Sequence, residues 1–434
     1  MQWAIRGPAA TFVADPFVAG DAALRYEPDA LIVVQGGRIH AFGAHAELAG
    51  SLPPGTALTR YGRDDLILPG FVDLHVHYPQ LQIIGSFGKR LIDWLEQYTY
   101  PAEQQFADEA HARAVAQLFL HECLRRGTTT AAVFCTVHAH CVEAFFEASA
   151  RLNTRMIAGK ALMDRNAPEP LRDTPQRAYD ESKALLRRWH GSGRQLYAVT
   201  PRYAGSSSPA QMELAGALWR EHPGSYLQSH IAEQREEVAW VTGLFPQCQG
   251  YLDIYDRFGL LGPRALYGHG IHLTETEVAR LHETGTAIAH CPTSNLFLGS
   301  GLLDLRRFKQ PERDVPIGLA TDVGAGTSLS MLRTMGAAYQ VAQMSGFALS
   351  AAQAFYLATR GAAQALRLED TIGSIAPGCE ADLAVLDLRS TPVIEQRMRH
   401  CRDLHDALFV QLTLGDDRAV RATWVAGEIR HRRP

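Results

Sequence analysis

Short apolar runs alternate with longer helical patterns between residues 69 and 373, and this alternation constrains the fold more than any other feature of the sequence. Eight runs are predicted to be strands, at 70–75, 129–134, 156–161, 196–200, 226–230, 265–269, 287–290 and 317–321. The clearest helical patterns among them cover 109–126, 208–221 and 275–284. Eight strand–helix units within roughly 300 residues predict an α/β fold built on a closed (β/α)8 TIM barrel.

A doubly wound parallel sheet is the alternative arrangement for such a pattern. That fold favours a glycine-rich phosphate-binding turn directly after its first strand. Here the corresponding segment reads Asp73-Leu-His-Val-His77. The barrel is therefore the favoured architecture.

The two ends of the chain share a sequence pattern that differs from that of the barrel region, with short strand-like runs and many turns. A hairpin turned by Gly36-Gly37 is predicted near the start, and alternating runs return after Ser374. We expect both ends to pair into one small composite β-sandwich. The predicted domains are 1–68 (first part of the sandwich), 69–373 (barrel) and 374–434 (second part and C-terminal segment).

Composition excludes several classes of partner. The net charge of −4 gives no basic surplus for holding phosphates, so no nucleic acid is expected. No run approaches the ~20 apolar residues of a membrane span, and no signal peptide is recognised. The seven cysteines are odd in number and scattered, which is typical of reduced thiols in a cytoplasm.

His75 and His77 stand at the end of the first barrel strand. Residues two apart in a strand point to the same side, so both imidazoles can reach one ion. A lone His-x-His is more often a pair of surface histidines. The carboxyl ends of barrel strands, however, are where this architecture builds its active sites.

Three further strands also end in polar residues. His230 ends the fifth strand, and Glu233 follows where a glutamate alone would suggest only a helix start. His269 ends the sixth strand between two glycines, and Asp322 follows the eighth, where an isolated aspartate usually caps a helix. Because these strand ends converge on one cavity, the set predicts a metal-dependent catalytic site.

Two more histidine motifs lie near predicted strand ends. His138-Ala-His140 repeats the first spacing, but a helix is expected to start there, so we expect His138 to line the pocket mouth rather than to bind metal. His290 ends the seventh strand, with a structural role as the default and substrate contact as the alternative. Cys291 has no evident base partner, so a thiol nucleophile is not expected.

Pro69-Gly-Phe-Val-Asp-Leu-His-Val-His77 resembles the first-strand signature of the amidohydrolase superfamily, and residues 373–387 resemble its closing segment. Finer motifs resemble the guanine deaminase family within it; they are His77-Tyr-Pro-Gln80, the run from Leu91 through Trp94 to Glu103, Thr200-Pro-Arg-Tyr203, Ser229-His-Ile-Ala-Glu233, the stretch from His290 to Asn295, and the stretch from Thr321 to Leu332. Tyr203 stands where phenylalanine is common. The likeness spans nearly the whole chain and implies a barrel flanked by a composite β-sandwich.

The resemblance also implies a role for each candidate residue. One Zn²⁺ per chain, with Fe²⁺ as the alternative, would be held by His75, His77, His230 and Asp322. The substrate would contact His77, Gln80, Trp94, Arg202, Tyr203, His230, Glu233 and Asp322. Catalysis would fall to Glu233, His269 and Asp322. A two-metal site usually needs a bridging carboxylated lysine, and Lys160 after the third strand keeps that alternative open.

The implied activity is hydrolytic deamination of guanine to xanthine and ammonia in purine catabolism, by a cytoplasmic homodimer. Glu233 suits a proton shuttle to the ring nitrogen. One alternative is a sister deaminase acting on 8-oxoguanine, a pterin or a triazine. The other is a non-catalytic amidohydrolase-like scaffold, for which lost ligands would be expected, and none is missing here.

Overall fold

The structure is a computed structural model that describes residues 2–88 and 90–433. Its strands are β1 Gln2–Phe12, β2 Leu24–Gln35, β3 Arg38–Ala44, β4 Ala57–Arg60, β5 Asp65–Pro69, β6 Phe71–His77, β7 Thr128–Phe134, β8 Arg155–Gly159, β9 Ala161–Leu162, β10 Leu196–Pro201, β11 Tyr226–Ile231, β12 Ala265–His269, β13 Ala287–His290, β14 Lys309–Gln310, β15 Arg313–Asp314, β16 Ile317–Leu319, β17 Leu383–Asp387, β18 Val420–Val425 and β19 Glu428–Arg432.

The α-helices are α1 Pro16–Ala19, α2 His45–Leu48, α3 Leu91–Trp94, α4 Tyr100–Gln104, α5 Glu109–Arg125, α6 Ala139–Leu152, α7 Pro175–Trp189, α8 Pro209–Glu221, α9 Arg235–Leu244, α10 Tyr251–Arg257, α11 Glu275–Thr284, α12 Pro292–Phe297, α13 Met331–Met344, α14 Ala351–Leu357, α15 Arg360–Ala365, α16 Pro392–Met398 and α17 Leu404–Leu414. Within the described residues, none of these helices is both long and apolar enough to cross a bilayer.

The predicted barrel is confirmed. Parallel strands follow one another in the order β6, β7, β8, β10, β11, β12, β13 and β16, so all eight predicted runs become barrel strands. β9 adds a short pairing beside the carboxyl end of β10. Chain order and spatial order agree, as expected when each strand is followed by a helix that returns over the outside.

Hydrogen bonds just past the end of β16 close the barrel against β6. The backbone N–H of Asp322 donates to the carbonyl oxygen of His75 at 2.8 Å, and that of His77 donates to Val323 at 3.3 Å. The N–H of Thr321 donates to the Asp73 carboxylate at 3.0 Å. The first and last strands therefore meet at the level of the predicted metal ligands.

Apolar side chains fill the barrel below that level. Val72, Leu74, Ile157, Ala198 and Leu266 belong to one buried cluster inside it. Branched and small residues pack the interior into a solid floor, as is usual for this fold. Polar groups are thereby concentrated at the carboxyl end of the strands.

Both chain ends contribute to a second sheet, as predicted. Its strands lie in the order β19, β18, β17, β5, β1, β2 and β3, with β4 beside β1. The antiparallel pair β17–β5 joins the C-terminal part to the N-terminal part. Gly36 and Gly37, with φ of 59° and 79°, form the predicted hairpin turn, which requires two residues of positive φ.

Four buried charges join this sheet to the amino ends of the barrel strands. Glu380 accepts hydrogen bonds from Arg155 Nε at 2.8 Å and from Arg194 Nη2 at 2.6 Å. Arg194 also pairs with Asp382, which accepts from the N–H of Ala426 at 2.7 Å. Burial acts to raise the pKa of Glu380, but the two arginines outweigh it and hold that pKa below its ordinary value.

Candidate active site

The four predicted metal ligands meet at the carboxyl end of the barrel. The Nε2 atom of His230 lies 3.1 Å from the Nε2 atoms of both His75 and His77. Asp322 Oδ1 lies 3.5 Å from His75 Nε2 and 3.4 Å from His77 Nε2. His75 and His77 stand two residues apart on β6 and direct both rings to the same side, as predicted. His230 comes from β11 on the facing wall. The structure thus brings together four side chains from three widely separated parts of the chain.

This donor set fits a divalent metal ion. Zn²⁺ bonds of 2.0–2.1 Å in a tetrahedron place neighbouring donor atoms about 3.3–3.4 Å apart, and the observed separations lie on both sides of that value. Burial, followed by the neighbouring histidines, lowers the pKa of His77 and His230 well below the ordinary value, so their rings are neutral. Neutral ring nitrogens at this spacing are the donors that a shared cation requires.

The backbone prepares His230 for this role. Its Nδ1 donates to the carbonyl oxygen of Arg202 at 2.6 Å, which leaves the lone pair of Nε2 directed at the other three groups. Gly268 gives His75 its space, because a Cβ atom there would lie 2.7 Å from the His75 ring. The prediction that glycines beside His269 allow close approach is confirmed at this position.

Glu233 and His269 stand beside the ligand set. Glu233 Oε2 lies 3.5 Å from His269 Nε2, and Asp322 Oδ2 lies 3.7 Å from the same nitrogen. His269 Nδ1 donates to Asn295 Oδ1 at 2.9 Å, and Ser300 Oγ donates to Glu233 Oε1 at 3.1 Å. Burial raises the pKa of Glu233, so its carboxyl group holds a proton more readily than an exposed glutamate does.

A cavity opens beside these groups. Its apolar walls include Trp94, Tyr203 and Leu298. The predicted site residues that line it are His77, Gln80, Trp94, Arg202, Tyr203, His230, Glu233, His269 and Asp322. His75 lies behind them, at the floor.

Sequence reasoning missed several buried residues that support this cavity. Glu103 accepts hydrogen bonds from Gln80 and Arg202. Glu237 accepts from the backbone N–H of Glu233 at 3.0 Å, and burial raises its pKa to about 7. Glu103 and Asn295 lie inside motifs that resemble the family, and those motifs are the sequence feature that could have indicated them. Neither motif predicts what the side chain contacts.

The remaining candidates lie away from the ligand set. His138 precedes α6 and is not among the residues that line the cavity, so its place at the pocket mouth stays a prediction. Lys160 pairs with Asp173 and lies 3.4 Å from Glu181, and it is thereby engaged away from the metal ligands. His290 is fully buried, and burial, followed by His269, lowers its pKa to about 3.

Cys291 comes close to the site without suiting a nucleophile. Its Sγ lies with His269 and Asp322 in a group of possible ligand atoms. Burial raises the pKa of its thiol well above the ordinary value, and the thiol donates to Ala289 at 3.4 Å. A protonated, hydrogen-bonded thiol is a poor nucleophile, in agreement with the prediction.

Comparison with known proteins agrees with the fold and the site. Residues 66–430 match the pattern of the amidohydrolase family, and the chain belongs to that family. Guanine deaminase of Escherichia coli (strain K12) is 46% identical over 412 residues, which cover 95% of this chain and 93% of that protein. A probable guanine deaminase of Deinococcus radiodurans is 39% identical over 96% of this chain and 95% of its own length. Within the amidohydrolases, the chain groups with the guanine deaminases.

Solved structures lead to the same grouping. The E. coli guanine deaminase structure superposes with a TM-score of 0.95 at 43% identity and covers 100% of both chains. A guanine deaminase from C. acetobutylicum with bound guanine in the active site has a TM-score of 0.88 at 26% identity, covering 99% of this chain and 100% of that one. Two triazine hydrolase structures at 20–21% identity share the fold.

Proposed function

We propose that this enzyme hydrolyses guanine to xanthine and ammonia, which is the activity for which the related guanine deaminases are named. The observation that carries the proposal is one cavity faced by His77, His230 and Asp322 of the ligand set, by the buried acid Glu233 and by a glutamine–arginine pair. Water adds to C2 of guanine, the bond from C2 to the exocyclic nitrogen breaks, and that nitrogen leaves as ammonia. The ring keeps the water oxygen as the C2 carbonyl of xanthine.

His75, His77, His230 and Asp322 would hold one divalent ion per chain, Zn²⁺ by donor preference, with Fe²⁺ as the alternative. Such an ion supplies Lewis-acid activation of water near neutral pH. Three neutral imidazoles and one carboxylate are a donor set that zinc favours. The engagement of Lys160 with Asp173 supports one metal rather than two.

The proton transfers fall to groups that face the cavity. Glu233 would take a proton from the attacking water and deliver it to the ring nitrogen, so that negative charge does not accumulate on the ring. Asp322 would accept the second water proton and pass it to the leaving amine. His269, held by Asn295, would orient the water and polarise the tetrahedral carbon.

The base itself would lie between Trp94 and Tyr203, with Arg202 and Gln80 at one edge. The guanidinium of Arg202 is buried, and Glu103 holds its pKa above the ordinary value despite that burial. A buried cation is well placed to meet the carbonyl oxygen at C6 of guanine. Adenine carries an amino group at that position and offers no acceptor there.

The deciding experiment is a steady-state assay of the purified protein with guanine, adenine, cytosine and 8-oxoguanine, together with metal analysis. We expect guanine to give the highest kcat/KM and the protein to hold one metal ion per chain. A preference for 8-oxoguanine, or for a base without the C6 oxygen, would contradict the assignment of substrate.

We also propose a cytoplasmic homodimer. The seven cysteines are all free thiols among the described residues, which suits a reducing compartment. The dimer rests on the family likeness. Light scattering on the purified protein measures its mass directly, and a monomer would contradict it.

A further inference from the structure

Glu103 is a buried carboxylate that stands directly behind the substrate edge of the cavity. It lies on α4 and is 1% exposed. Its Oε1 accepts from Gln80 Nε2 at 3.1 Å and from Arg202 Nη1 at 2.8 Å, and its Oε2 accepts from the same Arg202 nitrogen at 2.6 Å. Glu103 does not line the cavity, whereas Gln80 and Arg202 both do.

This contact sets the orientation of the Gln80 amide. An ionised carboxylate only accepts hydrogen bonds, so the amide must direct its NH2 group at Glu103. Gln80 Oε1 is then turned away from Glu103 and lies beside Gly324, where a Cβ atom would be 2.2 Å from it. Because Gln80 lines the cavity and its NH2 group is held by Glu103, the amide offers its oxygen as the acceptor at that edge. A flipped amide would place oxygen against oxygen at Glu103.

The same carboxylate sets the orientation of Arg202. Both contacts with Glu103 use Nη1, which leaves Nε and Nη2 to donate elsewhere. The ring of Tyr100 lies 6.0 Å from the guanidinium carbon and borders it on one side. The charge of Glu103 also keeps the buried guanidinium ionised. The cavity edge thus offers an acceptor beside a cationic donor.

We propose that Glu103 is a positioning residue that determines specificity, because it imposes this acceptor–donor order on Gln80 and Arg202. The order is complementary to a ring –NH–C(=O)– edge, in which a donor stands beside an acceptor. Guanine carries that edge at N1 and C6, so the inference deepens the proposed function and rests on it. Purines without a C6 oxygen do not match the order.

The test uses Glu103→Gln in the full-length metal-loaded enzyme. Glutamine keeps the shape but offers an NH2 group as well as an oxygen, so the amide of Gln80 is no longer held in one orientation. We expect KM for guanine to rise about 10- to 100-fold with metal content unchanged. The informative readout is the ratio of inhibition constants for hypoxanthine, which has the lactam edge, and unsubstituted purine, which lacks it. This ratio should move towards one.

Glu380→Gln is the matched control, since Glu380 also holds buried arginines but lies at the other end of the barrel. It should leave the inhibitor ratio at its wild-type value. Glu103→Asp keeps the charge with a shorter reach and should give an intermediate ratio. A wild-type ratio in Glu103→Gln overturns the proposal; if that variant does not fold, a wild-type ratio in Glu103→Asp overturns it. Failure of the wild-type enzyme to deaminate guanine would instead refute the proposed function.

Discussion

The two ends of the barrel both bury charged and polar side chains, but they satisfy them differently. At the amino end, Arg155 and Arg194 are matched by Glu380 and Asp382, with hydrogen bonds of 2.6–3.1 Å among them. Every one of these charges finds its counterpart within the protein. Such a cluster joins the composite sheet to the barrel and has no need of a ligand.

At the carboxyl end, three imidazoles and one carboxylate converge on one point instead of pairing as cation and anion. His230 Nε2 lies 3.1 Å from the Nε2 atoms of both His75 and His77, and because its Nδ1 donates to Arg202 it offers them a lone pair. A buried cluster of ring nitrogens and a carboxylate at the separations of metal ligands indicates a cation from outside the chain. The comparison teaches that the balance of donors and acceptors, rather than burial or charge alone, separates the functional end from the structural one.

Removal of one proposed metal ligand should have the largest effect on the function of the carboxyl end. His77→Ala deletes one of four donors from the carboxyl end, so metal and activity should be lost together, with activity at background. Folding should suffer little, because the barrel floor is already packed. Metal analysis, guanine turnover and thermal unfolding measure these outcomes. Two metal ions per wild-type chain, or full activity after chelation, would contradict the prediction.

Removal of the proposed proton carrier, Glu233, should have the next largest effect. Glu233→Gln keeps size and most hydrogen bonding but cannot carry a proton, so kcat should fall about 10²–10⁴-fold while metal is retained. Glu236→Gln changes the exposed neighbour, which pairs with Arg90 at 3.5 Å, and should leave kcat unchanged. A loss of less than tenfold in Glu233→Gln with metal retained would place the shuttle elsewhere.

Loss of the arginine should act through substrate binding. Arg202→Ala removes the cationic donor and leaves Glu103 buried without its counterion, so KM for guanine should rise and kcat/KM should fall about 100-fold. Purines without the C6 oxygen should be poor substrates for the wild type and change little in the variant. Guanine kinetics identical to wild type would contradict the assignment of Arg202.

The amino end should show the opposite behaviour, with stability affected and turnover preserved. Glu380→Gln should lower the free energy of unfolding by about 3 kcal/mol, because it leaves buried arginines short of an anion. The folded-state pKa of Glu380 is depressed, so its contribution is fully present above the ordinary pKa of 4.5 and is lost progressively as pH falls from there through the lower folded-state value. Chemical unfolding at pH 7 and pH 4 should show a smaller difference in the variant. A large change in kcat would contradict this separation.

The sequence predicted the strands well wherever local pattern determines them. The runs 265–269 and 287–290 coincide with β12 and β13. The run 156–161 is interrupted at Lys160, and the run 317–321 ends early at Leu319, because Asp322 takes a φ of 47° and turns the chain towards the site. The deviation after β16 therefore occurs where the backbone serves the cavity.

The support of the cavity could not be predicted in the same way. A glutamate in the first turn of a helix is ordinarily explained by the helix dipole, and Glu103 occupies such a position in α4. Its partners lie 23 and 99 positions away along the chain, at Gln80 and Arg202. Contacts between residues so far apart in sequence depend on how strands and helices pack in space. The spacing of residues along the chain does not determine that packing.

The hydrogen bonds that close the barrel and the proposed metal ligands lie at the same place. Asp73 and Thr321, which hydrogen-bond across the seam, are 248 positions apart, and the ligands follow them on both sides. His75 and His77 belong to the first strand and Asp322 follows the last, so the donor set exists only once the whole ring has assembled. An incompletely closed barrel lacks at least one donor, and tight metal retention is therefore a sign of completed folding. A metal ion bound by these four side chains would join the first and last strands only in the finished barrel.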